Sequence, residues 1–311
     1  MKSTHFERAI FLSWYCSKGD CTFCYMSIQK SKIKNPRLAR RSLASIIAEA
    51  LICKACGWEI EFLSGGYESH TLKELVNITK IIKQINQKKL WLNIGVLNKK
   101  ELQAFKPYIQ GVTGAIEVIN PHLHKKICPS KPIKPIEKMF KSCDKLKLKK
   151  SMTLIIGLGE TLEDFPSLKN FIKKYKINRI TFYALNPHQG TPFKKGPKTE
   201  YYIQWIKKTR KTFPKLQIIA GSWVNRLDEI HHLLNAGADH LTKFPSIKLF
   251  NTKHAKKFEA QVKKANRKFT STLTKLPKID WQKQINSLSI EKDLKEQVKI
   301  TLNNYLKKMQ K

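Results

Sequence analysis

Acidic residues are scarce in this 311-residue chain: 23 Asp and Glu stand against 60 Lys and Arg, a formal charge of +37 with a pI near 10.0. Arginine is scarce too, holding eight of those 60 positions. Proteins that read nucleic acid favour Arg, whose planar fork meets guanine and phosphate; here the excess is Lys, dispersed over most amphipathic stretches. Nucleic acid is therefore not the expected partner, although the charge favours acidic ones. No run of 18 apolar residues occurs, which excludes a helical membrane span. An apolar leader is also missing, because Met1–Arg8 passes straight into a strand-like segment, and a cytoplasmic location is the expectation. With 41% hydrophobic and 10% aromatic residues along the whole length, disorder is excluded and one large core is affordable. Seven cysteines is an odd number, and three fall within nine residues, which suits metal binding in a reducing compartment better than disulfides.

Strand-like and helix-like segments alternate. Strands are expected at Ile10–Trp14, Glu59–Ser64, Leu90–Val96, Gly114–Ile119, Ser151–Ile156, Arg179–Leu185, Gln217–Ala220 and Ala238–Leu241. Amphipathic helices are expected between them at Ser42–Cys56, Thr71–Ile85, Lys99–Phe105, Ile133–Leu146, Leu162–Tyr175, Glu200–Phe213 and Arg226–Ala236. The second opens on a capping box, Thr71 with Glu74. Eight such units in about 240 residues predict an α/β fold of the (β/α)8 TIM type, closed or partial, over residues 1–245. Residues 246–311 read as an outer helix and a helical C-terminal extension, with Val298, Leu302, Tyr305 and Met309 on one face. In such a barrel the loops after the strands gather on one rim and carry the chemistry.

The first of those loops holds Cys16, Cys21 and Cys24. Three thiolates on a short loop suit three irons of a [4Fe-4S] cluster and leave the fourth iron open; structural zinc would need a fourth ligand nearby. After the second strand comes Ser64-Gly65-Gly66-Tyr67-Glu68, where paired glycines permit close backbone approach to a ligand. Glu117 ends the fourth strand, before Asn120-Pro121 and Leu123, and an ionised acid there accepts hydrogen bonds from a diol. Thr153-Leu-Ile155-Ile-Gly157-Leu-Gly159-Glu160 ends the fifth. Asn186-Pro-His-Gln-Gly190-Thr-Pro192 follows the sixth.

In that order, on five rim loops, these motifs resemble the radical S-adenosylmethionine (SAM) superfamily, in its biotin synthase and lipoyl synthase branch. The cysteine loop departs from the superfamily's usual three-residue first spacing by one residue. The resemblance implies a [4Fe-4S] cluster on Cys16, Cys21 and Cys24, and a SAM site drawing on Phe23, Gly65, Gly66, Glu68, Glu117, Ile155, Gly157 and Asn186. It also implies an electron donor such as ferredoxin and a 5′-deoxyadenosyl radical that abstracts hydrogen from an unactivated carbon. Trp14, Tyr25 and Tyr67 are read as further walls of the site, or as plain packing.

The phrases at 11–16, 24–27, 218–227 and 242–245 are similar to the archaeal lipoyl synthase that works as a pair of radical SAM proteins. That likeness implies sulfur insertion into an octanoyl chain on a lipoyl carrier protein or octanoyl-lysyl peptide, with a second subunit as partner. Sulfur insertion requires a donor, often a second iron–sulfur cluster. Cys53, Cys56 and Cys143 are expected at the far rim and Cys128 on the active rim, so the four cannot share one cluster; Cys128 alone is a candidate catalytic or sulfur-handling residue. Biotin-synthase-like radical chemistry without sulfur, and an RNA-modifying iron–sulfur protein, are the competing readings. Lys131 reads as surface charge. Arg226 is open between surface charge and a contact to an acidic carrier or to the SAM carboxylate. None of His70, His122, His124 and His188 is given a role.

Overall fold

The computed structural model describes residues 1–310. Eight parallel strands follow one another around a nearly closed barrel in chain order: β1 Glu7–Phe11, β2 Glu59–Ser64, β3 Leu90–Asn93, β4 Ile109–Glu117, β5 Lys149–Ile156, β6 Arg179–Ala184, β7 Gln217–Gly221 and β8 His240–Thr242. A single bridge, Phe6 to Leu241, joins the last strand to the first, with Leu241 N donating to His5 O at 3.3 Å. The expected TIM-type architecture is the one observed. Its strand bounds differ most from the sequence reading in β4, which begins five residues earlier than expected, and in β1, which begins three residues earlier. That strand starts at Glu7 because the carboxylate is buried against Arg179 at 3.4 Å, a pairing that apolar alternation does not reveal. It ends at Phe11 because Trp14 N turns to Ala39 O at 3.0 Å and carries the chain into the rim loop.

Helices cover the outside. Thr71 and Glu74 form the expected capping box of Leu72–Asn86. Leu43–Ala55 is apolar almost all round because it is covered on two sides, by the barrel and by the C-terminal helix Lys292–Met309. Tyr305 Oη sits 2.8 Å from Ser45 Oγ, and the buried Glu49 carboxylate is paired with Arg8, at 2.6 Å, and Arg41. Val298, Leu302, Leu306 and Met309 join the same core as the barrel strands. Short elements outside the sequence reading include the helices Tyr25–Gln29, Pro121–Ile127 and Trp281–Asn286, the single 3-10 turns Lys30–Lys32 and Pro36–Ala39, each too brief to show a period, and a two-stranded parallel pairing of Ser3–Thr4 with Lys268–Phe269. No helix among the described residues is long and apolar enough to cross a membrane.

The barrel interior is polar at its lower end. Arg179 donates to Glu61 O at 2.6 Å and stacks 4.2 Å from the Trp91 ring centroid, while Glu61 accepts from Thr242 Oγ1 at 2.7 Å and from Tyr183 Oη. Beside Glu7, the rings of His5 and His240 stack at 3.5 Å. Burial, with His5 next to it, presses His240 down to about 4, so the folded ring stays neutral where an unfolded one takes up a proton.

Replacing Leu302 by Ala should cost about 3 kcal/mol in urea unfolding, because the C-terminal helix belongs to the main core. A loss near zero would show that helix to be an appendage. Acid should also destabilise the fold. Below pH 6.5 the unfolded His240 binds a proton that the folded one refuses until about 4, so stability falls across that window, by on the order of 3 kcal/mol. His240→Gln should flatten that part of the pH profile of the urea midpoint.

Candidate active site

A cavity of about 530 Å³ occupies the barrel and opens at the C-terminal ends of the strands. Cys16, Cys21 and Cys24 line it, each half-buried. The loop that carries them is tied at several points. Ser17 N donates to Tyr67 O at 3.1 Å and Thr22 N to Ile127 O at 2.9 Å; Ser130 N donates to Asp20 Oδ2 at 3.0 Å. Its extra residue is absorbed by Gly19, at φ +40°, where a Cβ would meet the Cys16 carbonyl at 2.9 Å and the Lys30 side chain at 2.3 Å. Gly66 matters for the opposite reason, close approach: a Cβ there would lie 2.2 Å from Tyr15 O and 2.5 Å from Cys16 Cβ. Among the described residues, the convergence of three metal-ligating atoms within 4.8 Å of one another is that of His5, Glu7 and His240 at the lower end. The three thiols form no such group, so they are not gathered as tightly as one tetrahedral zinc holds its sulfurs.

Of the other residues read from the motifs, Phe23, Gly65, Gly66, Glu117, Ile155 and Asn186 line the same cavity, with Trp14, Tyr25 and Tyr67. Two do not. Glu68 is exposed, turned out of the mouth by a left-handed backbone at φ +57°. Gly157, at φ +107°, packs beneath the rim, where its missing Cβ makes room for Pro197. The motif's Glu160 is inward but occupied, accepting from Gly157 N and Leu158 N at 2.8 Å each. Asn120 likewise serves the backbone: its side chain caps the helix Pro121–Ile127 by accepting from Leu123 N at 3.1 Å.

Lys131 corrects the sequence reading. It is buried, lines the cavity, and pairs with Glu117 Oε1 at 3.1 Å, while Thr153 Oγ1 donates to Glu117 Oε2 at 3.1 Å. Burial alone would lower its pKa, but Glu117 and the thiols of Cys128 and Cys21 outweigh that and raise it. The chain folds back over the short helix Pro121–Ile127, which turns the Lys131 side chain inward; an Asn-Pro start and a Lys three residues beyond Cys128 were the signals available. Arg226 is bonded to Glu229 (Nε to Oε1 3.0 Å) and Pro197 O (2.7 Å).

Cys128 lies at the active rim, as expected, but its thiol is covered. It ends the helix Pro121–Ile127, is fully buried, and lies against Cys21. The hydrogen bond between them lowers the Cys21 pKa and raises that of Cys128. Cys53, Cys56 and Cys143 sit in the main core, where burial pushes Cys56 and Cys143 up to about 12. His124 holds its loop by its two ring nitrogens, to Val118 O at 3.1 Å and Lys131 O at 2.7 Å.

The cavity also receives a residue of the 242–245 phrase to which the sequence reading gave no role. Lys243, directly after β8, has φ +76° and points its ammonium into the barrel, 4.4 Å from the Tyr183 ring centroid. Only its place beside β1 in the closed barrel reveals it.

A profile of the Radical SAM superfamily matches residues 14–172. The chain belongs to that superfamily. An uncharacterized protein of Methanocaldococcus jannaschii, MJ0597, is 38% identical over 98% of this chain and 89% of its own length. Biotin synthase of Methanococcus vannielii is 29% identical over 58% of the chain, which spans 54% of that enzyme. The crystal structure of methylornithine synthase (PylB) superposes with a TM-score of 0.66 at 19% identity, covering 77% of this chain and 72% of that one. As a radical SAM enzyme, the chain has thiols that fit a [4Fe-4S] cluster and a glycine pair that lets the loop seat against the barrel.

Gly66→Ala should prevent that seating. Iron content and visible cluster absorbance after anaerobic reconstitution should fall to the level of a variant with Cys16, Cys21 and Cys24 all replaced by Ala; full cluster loading would show that the loop tolerates the displacement.

Proposed function

We propose that this radical SAM enzyme removes a hydrogen atom from a small substrate held inside the barrel, in chemistry that needs no second cluster, such as a carbon-skeleton rearrangement. The observation that carries this reading is the placement of the thiols. Three line the cavity on one tied loop, a fourth backs that loop, and three are packed in the core. The cluster and SAM, when bound, supply a radical able to attack an unactivated carbon. The chain's own residues do the rest. Cys16, Cys21 and Cys24 would hold three irons of the cluster; Gly65 and Gly66 would leave backbone accessible to the amino end of SAM; Glu117, oriented by Lys131 and Thr153, would meet its ribose or amino acid end. Phe23, Ile155 and Asn186 border the adenine side. The aromatic residues Trp14, Tyr25 and Tyr67 line the mouth, the first two exposed, and a bound ligand covering them would keep water from a reactive species.

A second reading is sulfur insertion into a protein-bound octanoyl chain, shared with a second radical SAM subunit. Two observations favour it: the Cys128 thiol beside Cys21, and a cavity wall that is apolar around Val96, Ile136 and Met139. In that reading Cys128 handles sulfur, the donor comes from the partner, and the basic surface receives the acidic carrier.

Anaerobically reconstituted protein given SAM and reductant should release 5′-deoxyadenosine, and the triple Cys-to-Ala variant should lose at least 100-fold of that activity, on the order expected when the radical source is absent. No release from fully loaded protein would sink both readings. Mass spectrometry of an octanoyl-lysyl peptide in the same reaction separates them: an unchanged peptide beside ongoing SAM cleavage supports the first, and a sulfur-bearing product, lost in Cys128→Ser, replaces it with the second.

A further inference from the structure

We propose that Lys243 is the anchor for a carboxylate, and that the barrel cavity takes a small organic acid with an aliphatic body. The inference rests on the reading that this cavity holds the substrate. Most charged groups inside the barrel are matched, Glu117 with Lys131 and Glu7 with Arg179, and Arg8 with Glu49 just outside, while the buried Glu61 carboxylate accepts from the hydroxyls of Tyr183 and Thr242 and reaches Lys243 only through its field. Lys243 makes neither an ion pair nor a hydrogen bond among the described residues, although it lines the cavity beneath the thiols. Its ammonium is steered by rings instead, at 4.4 Å from the Tyr183 centroid and 5.8 Å from those of Trp223 and Phe11. Ring faces orient a cation without using up its three donors, so those donors remain for a ligand.

The surroundings hold this arrangement in place. Trp223 Nε1 donates to Ala184 O at 2.9 Å, and the Tyr183 hydroxyl is tied to the buried Glu61. Gly221 leaves the room: a Cβ there would stand 2.5 Å from Tyr183 Cδ1 and 3.0 Å from Lys243 Cγ. The left-handed backbone at Lys243, φ +76°, is uncommon for a residue with a long side chain and persists only where packing imposes it. Here the flanking Thr242 and Phe244 are buried, and Thr242 is bonded to Glu61 at 2.7 Å. Across the cavity the Thr113 hydroxyl is buried without a hydrogen-bond partner, a second polar group aimed at whatever fills the space. Between these points the wall is apolar at Phe11, Phe62, Ile136 and Met139. A cation, a hydroxyl and an apolar wall together fit an aliphatic monocarboxylate, whose charge would be costly to bury elsewhere in the barrel.

Octanoate and octanamide are matched probes, since they share the chain and differ in charge. Calorimetric titration of the reconstituted protein should show octanoate binding on the order of tenfold more tightly than octanamide, the size expected for a charge-assisted hydrogen bond. Lys243→Met should abolish the difference, Lys243→Arg should keep part of it, and Gly221→Ala should reduce it by displacing the side chain. Iron content and thermal midpoint of each variant certify folding and cluster loading. Equal affinities in the unaltered protein, no binding of either probe, or a preference that survives Lys243→Met would overturn the inference; the last outcome would place the acid on the basic surface. Because the titration does not depend on SAM cleavage, a protein that releases 5′-deoxyadenosine yet shows no preference fails this inference alone. One that shows the preference without releasing 5′-deoxyadenosine fails the functional reading alone.

Discussion

The seating of a nine-residue loop on the barrel's rim is the constraint on which the rest of the site depends. The contact is intimate, since a single methyl group at Gly66 would collide with both the Tyr15 carbonyl and Cys16. Once seated, the loop is stitched to two different strand ends, through Tyr67 after β2 and through Ile127 and Ser130 after β4. The thiols thus take their positions from the barrel as well as from the loop's own turns at Gly19 and between Cys21 and Cys24. A site built in this way is preorganised, because the segments that tie the loop follow directly from barrel strands.

The polar interior follows from the same architecture. A TIM-type barrel usually fills its centre with branched apolar side chains. Here Glu7, Arg179, Glu61, Tyr183 and Thr242 form a buried network at the lower end, closed upon itself by hydrogen bonds and the Arg179–Trp91 stack. Burial opposes ionisation of Glu7, but His5 and Arg179 outweigh it and hold the carboxyl below its ordinary range; Glu61 is instead raised by burial. Polar groups so placed are costly unless fully partnered, which gives the floor of the cavity a single arrangement. Above that floor the space stays open, and Lys243 enters it as an unpaired cation. Burial lowers its pKa, with Glu61 and Glu117 opposing the shift.

Lysine dominates the chain's basic residues, yet three of them behave differently from the solvated majority. Lys131, Lys150 and Lys243 are turned inward. Lys150 meets Asp144, Lys131 meets Glu117, and Lys243 meets rings and open space. Composition alone assigns all of them to the surface, since Lys is rarely buried without a partner. The two partnered ones obey that rule, and the third stands out against it.

The eight strands, the helices between them and the cysteine loop were legible in the sequence because period, capping and spacing are local properties of the chain. Cys16, Cys21 and Cys24, the paired glycines and Glu117 could be named because their chemistry and their place at strand ends are written in consecutive residues. What the sequence could not decide was direction and neighbourhood. Glu68 turns outward and Gly157 packs under the rim through backbone angles that the motif does not encode. Cys128 meets Cys21, Lys131 meets Glu117, and Lys243 comes to lie beside Phe11 only when the barrel closes and brings the last strand against the first. Those pairings join residues from 14 to 232 positions apart, a separation that periodicity does not span, so tertiary packing alone selects them.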